Sequence, residues 1–205
     1  MIVIIDYGMG NLESIKNMLK RVGSDSVISH DILDIEKADK LILPGVGAFD
    51  NAMKNINDIG LLSVINKKVI KDKTPILGIC LGMQLMTKSS EEGKMQGLGW
   101  INAKTVKFKF NQDSQLKIPH MGWNTLKIEK QSKIFGDMYN QENKFYFVHS
   151  YHVICNDKED VLTTTSYGYD FTSSIEKNNI IGVQFHPEKS HKFGMQLLKN
   201  FTMIS

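Results

Sequence analysis

Two short segments of this 205-residue chain hold side chains whose types and spacing could do covalent chemistry. In Pro75 to Gln84, PILGICLGMQ, the apolar run Ile76 to Ile79 reads as a strand that turns sharply at Cys80, between Gly78 and Gly82, into a helix expected to begin near Met83. This is a nucleophile elbow with sulfur in place of oxygen: a strained turn lifts the side chain clear of a sheet, and small flanking residues let neighbouring backbone pass close. A cysteine at a helix start also meets the positive end of the helix dipole, which favours the attacking thiolate. The bland alternative, a buried core cysteine, is weakened by the flanking glycines. The second segment is Gln184 to Glu188, QFHPE. Pro187 biases His186 towards extended backbone, on which residues two apart share a side, so Glu188 can reach the imidazole. A carboxylate on one ring nitrogen fixes the tautomer and leaves the other nitrogen to take a thiol proton. Of the six histidines, His30, His120, His149, His152, His186 and His191, only His186 has a carboxylate so placed.

These side chains need a frame. Ile2 to Ile5 is a continuous apolar run of the kind a strand buried on both faces shows. Asp6 to Gly10 reads as a loop, and Asn11 as the cap of a helix with Leu12, Ile15, Leu19 and Val22 at helical spacing. Lys40 to Leu43 is a further parallel-type strand, broken at Pro44 and followed by Gly45, Val46 and Gly47, at the strand end where open α/β sheets place their sites. Leu61, Leu62, Ile65, Val69 and Ile70 form a helical pattern leading back to the elbow, and Lys88 to Gly99 reads as a polar loop. Strands then dominate, at Ala103 to Phe110, Phe145 to Val148, Val161 to Thr165, Phe171 to Ile175 and Ile180 to Gln184, before a closing helix over Phe193 to Phe201. The pattern predicts an α/β fold: one domain over residues 1–205, with a mixed, mostly parallel sheet flanked by helices.

Composition bounds the functions available. Apolar content of 41% and charged content of 23% suit a globular protein. The net charge of +3 comes from scattered basic residues, which does not imply nucleic acid. Cys80 and Cys155 fit neither a disulfide framework nor a metal pair, which points to a reducing, cytoplasmic setting and no metal. Membrane-length apolar runs and a basic leader are absent, so no membrane role is expected.

GICLGMQ, QFHPE and LPGVGAF together resemble the class I glutamine amidotransferases, with their Cys, His and Glu triad. DYGMGNL, PHMGWN, FYFVHSYH and HPEKS narrow the likeness to the glutaminase subunits of imidazole glycerol phosphate synthase. The resemblance spans the chain and implies that Cys80 attacks the side-chain amide of glutamine, that His186, oriented by Glu188, protonates the departing ammonia, and that water releases glutamate from the thioester. It makes the backbone N–H groups of Leu81 and Val46 the oxyanion donors, with Gly45 and Gly47 giving the Val46 peptide room to reorient. Gln84 and the backbone of His149, Ser150 and Tyr151 map to glutamine-binding positions; the side chains of His120, His149 and His152 are expected to be structural. The implied partner is a separate (β/α)8-barrel subunit forming a heterodimer, faced by Asn11, Trp123, Asn124 and Lys189. It would use the ammonia to make imidazole glycerol phosphate and an aminoimidazole carboxamide ribotide, without a cofactor. Three alternatives compete: a paralogue feeding ammonia to a barrel-like subunit for an amidino sugar, a non-catalytic subunit, and a stand-alone hydrolase of γ-glutamyl bonds.

Overall fold

The computed structural model describes residues 1–111, 114–140 and 142–204. It opens with β1 (Ile2–Ile5), α1 (Leu12–Arg21), β2 (Ser26–Ser29), α2 (Ile32–Lys37) and β3 (Lys40–Leu43). Next come α3 (Phe49–Asp58), α4 (Leu61–Asn66) with a π-turn over Lys67–Lys71, β4 (Ile76–Ile79) and α5 (Leu81–Leu85). The strand-rich half holds β5 (Ala103–Lys107), β6 (His120–Thr125), β7 (Lys127–Ile128), β8 (Lys144–His149), β9 (Tyr151–Cys155), β10 (Val161–Ser166), β11 (Asp170–Lys177) and β12 (Ile180–Val183), and α6 (His191–Met203) follows.

The main sheet runs β2-β1-β3-β4-β12-β11-β10-β7, with β9 on β11 and β5 on β9, while β6 and β8 form a separate antiparallel ribbon. Strands β2, β1, β3, β4 and β12 are parallel. All the pairings from β12 outward are antiparallel, so the antiparallel half is larger than a mostly parallel sheet implies. The two faces of the sheet carry two cores. Val3, Ile5, Leu41, Leu43 and Ile76 point to the side of α2, α3 and α4, and Ile2, Ile4, Ile42, Leu77 and Ile79 to the side of α1 and α6. That alternation within continuous apolar runs is what a strand covered on both sides requires.

Two local expectations change. Asn11 stands at the first turn of α1 but makes no side-chain cap: its Oδ1 accepts from the Ser14 hydroxyl at 2.8 Å. Asp31 does cap α2, accepting the Leu33 N–H at 2.8 Å. The helix after Cys80 starts at Leu81 rather than near Met83, and at five residues it is a short dipole for a thiolate.

Candidate active site

Strand β4 lies between β3 and β12 in the parallel block, and the site gathers at the carboxyl ends of these strands. Cys80 has φ +53° and ψ −107°, a strained conformation for a residue with a side chain. Its N–H donates to the Val183 carbonyl at 2.8 Å, which pins the elbow to the end of β12. The glycines are needed for close approach: a Cβ on Gly82 would stand 1.8 Å from the Leu43 carbonyl oxygen, and one on Gly78 would stand 2.8 Å from the Gly82 backbone. A β4–α5 turn this tight could not form with larger residues at either position.

The chain leaving β12 brings His186 to the sulfur. His186 is extended (φ −104°, ψ 96°) and donates its N–H to the Tyr146 carbonyl of β8 at 2.9 Å. Its Nδ1 lies 2.8 Å from Glu188 Oε1, with both side chains buried. Glu188 reaches the ring through a 3-10 turn over Pro187–Lys189, not along extended chain as expected, and Ser190 Oγ closes that turn on the His186 carbonyl at 2.6 Å. Burial alone would lower the imidazole pKa, but the Cys80 sulfur and the Glu188 carboxylate outweigh it and raise it to about 10. Both neighbours favour the protonated ring, while Nε2 makes no hydrogen bond of good geometry in the protein.

Cys80 opens into a cavity of about 330 Å³, of the size a single amino acid fills. Gln84, His149, Ser150, Tyr151, Val46 and Gly47 line it, as does Leu81. Glu92, within the loop read only as polar, also reaches this wall; its Oε2 accepts the Phe49 N–H at 2.9 Å. Nothing in the spacing around Glu92 marks it in the sequence. Gln184, the first residue of QFHPE, is fully buried, with Nε2 3.6 Å from Cys80 Sγ. Applying the residues-two-apart argument one step upstream of His186 would have found it.

The two expected oxyanion donors are not both presented. The Leu81 N–H donates to the Gly45 carbonyl at 3.3 Å, so the Gly45–Val46 peptide turns its oxygen towards the elbow. In a trans peptide the N–H points opposite to the carbonyl, so the Val46 N–H faces away. Tyr7, from the DYGMGN segment, holds the preceding Pro44 carbonyl at 2.5 Å through its buried hydroxyl, and burial followed by the nearby Cys80 raises the pKa of that phenol.

His120, His149 and His152 sit in an aromatic cluster around Phe108, Tyr167 and Phe171. Burial holds His149 down to about 3 and His120 to about 4, and lowers His152 as well. Of the residues expected at a partner face, Trp123 is 47% exposed and stacks flat on His191, with ring centroids 5.4 Å apart. Lys189 is exposed above the Tyr146 ring, and Asn11 is half-buried. Asn124 turns inward instead, donating to the Ser166 carbonyl at 3.0 Å and approaching His120 Nε2 at 3.3 Å. Cys155, at the end of β9, is apart from the site; burial, then Asp160 and Asp157, push its thiol up to about 12. Among the described residues no helix is long and apolar enough to cross a membrane.

A parallel sheet that presents an elbow sulfur beside a carboxylate-held imidazole, over a cavity sized for an amino acid, defines a thiol-dependent acyl-transfer protein. The chain belongs to the class I glutamine amidotransferases: the model of that family matches residues 3–204. Among its relatives, imidazole glycerol phosphate synthase subunit HisH 2 of Methanococcus maripaludis is 59% identical over 201 residues, covering 98% of each chain. The subunit of the same name from Pseudomonas aeruginosa is 49% identical over the full length of both chains, 204 residues aligned. The fold is also that of PurLQS from Thermotoga maritima (TM-score 0.75, 16% identity, covering 98% of this chain and 97% of that one). A glutamine amidotransferase from Thermotoga maritima gives a TM-score of 0.62 at 17% identity, covering 91% and 75% of the two chains.

Proposed function

We propose that this chain is the glutaminase subunit of imidazole glycerol phosphate synthase, hydrolysing glutamine to glutamate and ammonia for histidine biosynthesis. The observation that carries the reading is the His186 imidazole, held by Glu188 at 2.8 Å beside the elbow sulfur of Cys80. In the proposed mechanism Cys80 attacks the carboxamide carbon as the thiolate. His186 already carries the proton that the departing ammonia needs, and Glu188 steadies its charge. His186 then takes a proton from water as water attacks the thioester, and the sulfur leaves as thiolate. Free glutamine brings an ammonium group, and Glu92 supplies a carboxylate on the cavity wall to receive it. Gln84 and the backbone of His149, Ser150 and Tyr151 form the rest of the binding wall.

The partner is a (β/α)8-barrel subunit, in a heterodimer, that receives the ammonia. The exposed Trp123, with Lys189 and Asn11, marks the face that meets it, since a half-exposed tryptophan is a favourable anchor for an interface. Asn124, whose carboxamide is committed inward, acts there through its neighbours. A second reading keeps the chemistry but gives the ammonia to a barrel-like partner that makes an amidino sugar. Purifying the chain with each candidate barrel and measuring glutamine-dependent product formation decides between them. The histidine-pathway barrel should support turnover, and turnover only with another barrel would overturn that assignment.

A further inference from the structure

We propose that Gln184 is a further catalytic residue: a fixed hydrogen-bond donor to the sulfur of Cys80, oriented through Gln84 by the backbone carbonyl of Tyr151. The inference rests on Cys80 being the nucleophile. Gln184 Nε2 lies 3.6 Å from Cys80 Sγ, and Gln184 Oε1 accepts from Gln84 Nε2 at 3.0 Å. The same Gln84 nitrogen donates to the Tyr151 carbonyl at 3.1 Å. A free carboxamide can turn over and exchange its oxygen for its nitrogen, but this one is constrained by what its neighbours can do. A backbone carbonyl only accepts, so Gln84 must present its nitrogen to Tyr151. That nitrogen only donates, so Gln184 must offer it the oxygen. The NH2 of Gln184 is then left facing the sulfur.

The Tyr151 carbonyl that sets this order is itself held from the other side. His149 Nδ1 approaches it at 2.7 Å and must carry the proton, which leaves His149 Nε2 to accept from His120 Nδ1 at 3.0 Å. His120 Nε2 in turn accepts from Asn124 Nδ2. Two series of donors, one from β6 and one from the nucleophile side, therefore meet on one carbonyl. Gln84, Gln184, His120 and His149 are all buried, where a hydrogen bond to a charged sulfur is stronger than in water and costs little reorganisation. Gln184 carries no charge and no transferable proton, so its part differs from that of His186. It stabilises the thiolate before attack, and again when the thioester C–S bond breaks and the electron pair returns to sulfur.

The test replaces Gln184 by Met, which keeps the length and removes the donor. Iodoacetamide labelling of Cys80 in the full chain is followed from neutral to alkaline pH. Labelling near pH 7 should slow by roughly tenfold and recover at alkaline pH, where the thiol ionises unaided. A folded Gln184→Met chain with an unchanged labelling profile would overturn the proposal. If that chain does not melt cooperatively, 15N-glutamine NMR of the unaltered chain decides. A buried carboxamide proton must move on alkylation of Cys80, and the lack of any such shift would overturn the assignment. Failure of the underlying reading looks different, since hydrolysis would then survive Cys80→Ala.

Discussion

The Gly45–Val46 peptide closes the oxyanion site from within, and the rate this costs can be worked out. Its carbonyl takes the Leu81 N–H at 3.3 Å, and its own N–H faces away, so neither donor is presented to a tetrahedral oxyanion. Loss of one such donor typically costs about a hundredfold to a thousandfold in rate. Turning the peptide over forfeits one long hydrogen bond, worth on the order of 1 kcal/mol net. Contacts from a bound partner can supply that much, and Val46, 43% exposed on the cavity wall, is accessible to them. Gly47, at φ +106°, provides the backbone freedom on one side, while Tyr7 anchors Pro44 on the other. The chain alone should therefore hydrolyse glutamine at least about a hundredfold more slowly than its complex with the proposed barrel subunit bound to that subunit's own ligand, with the unliganded complex between them. Steady-state glutaminase assays of the three states measure this. Full activity in the isolated chain would refute the gating argument while leaving Cys80, His186 and Glu188 untouched.

Two further outcomes are expected. Glu188→Gln keeps the shape but removes the charge facing His186 at 2.8 Å; kcat should fall by at least about tenfold with little change in KM, and equal turnover would show the carboxylate to be structural. The buried histidines should make the fold acid-sensitive, because His149 and His120 are held at about 3 and 4 and stay neutral when folded, while the unfolded chain takes up their protons. The contribution of these two residues is thus full above about pH 6.5 and is lost as the pH drops towards those values, by up to about 1.4 kcal/mol per pH unit for each histidine. Urea unfolding from pH 7 to 4.5 checks the slope, which His120→Phe should lessen; an identical slope in that variant would contradict the assignment.

The parallel block was legible because its strands are continuous apolar runs, and β1, β3 and β4 lie where those runs lie. Strand β2, SVIS, is too short and too polar to stand out, and the mixed sequence of α3 hid a helix. Strands β6 and β9 were missed because their histidines and Trp123 break the apolar alternation, although their backbones pair regularly. The sulfur, imidazole and carboxylate could be found because each lies in a compact local motif. The two-residue spacing from His186 marks Gln184 itself, but Glu92 and the links from Gln184 to Gln84 and Tyr151 could not be found, since they are contacts made across the fold. The orientation of the Gly45–Val46 peptide is a single backbone rotation, and the glycines beside Val46 permit either state.

Cys80 is the one nucleophile of the proposed glutamine chemistry. The direct measurement is product formation by the complex of the Cys80→Ala chain with the proposed barrel subunit, supplied in turn with glutamine and with ammonium. Glutamine should support no turnover and ammonium should support it undiminished, with half-buried, raised-pKa Cys155 unable to substitute. Glutamine consumption by the Cys80→Ala complex would contradict the account.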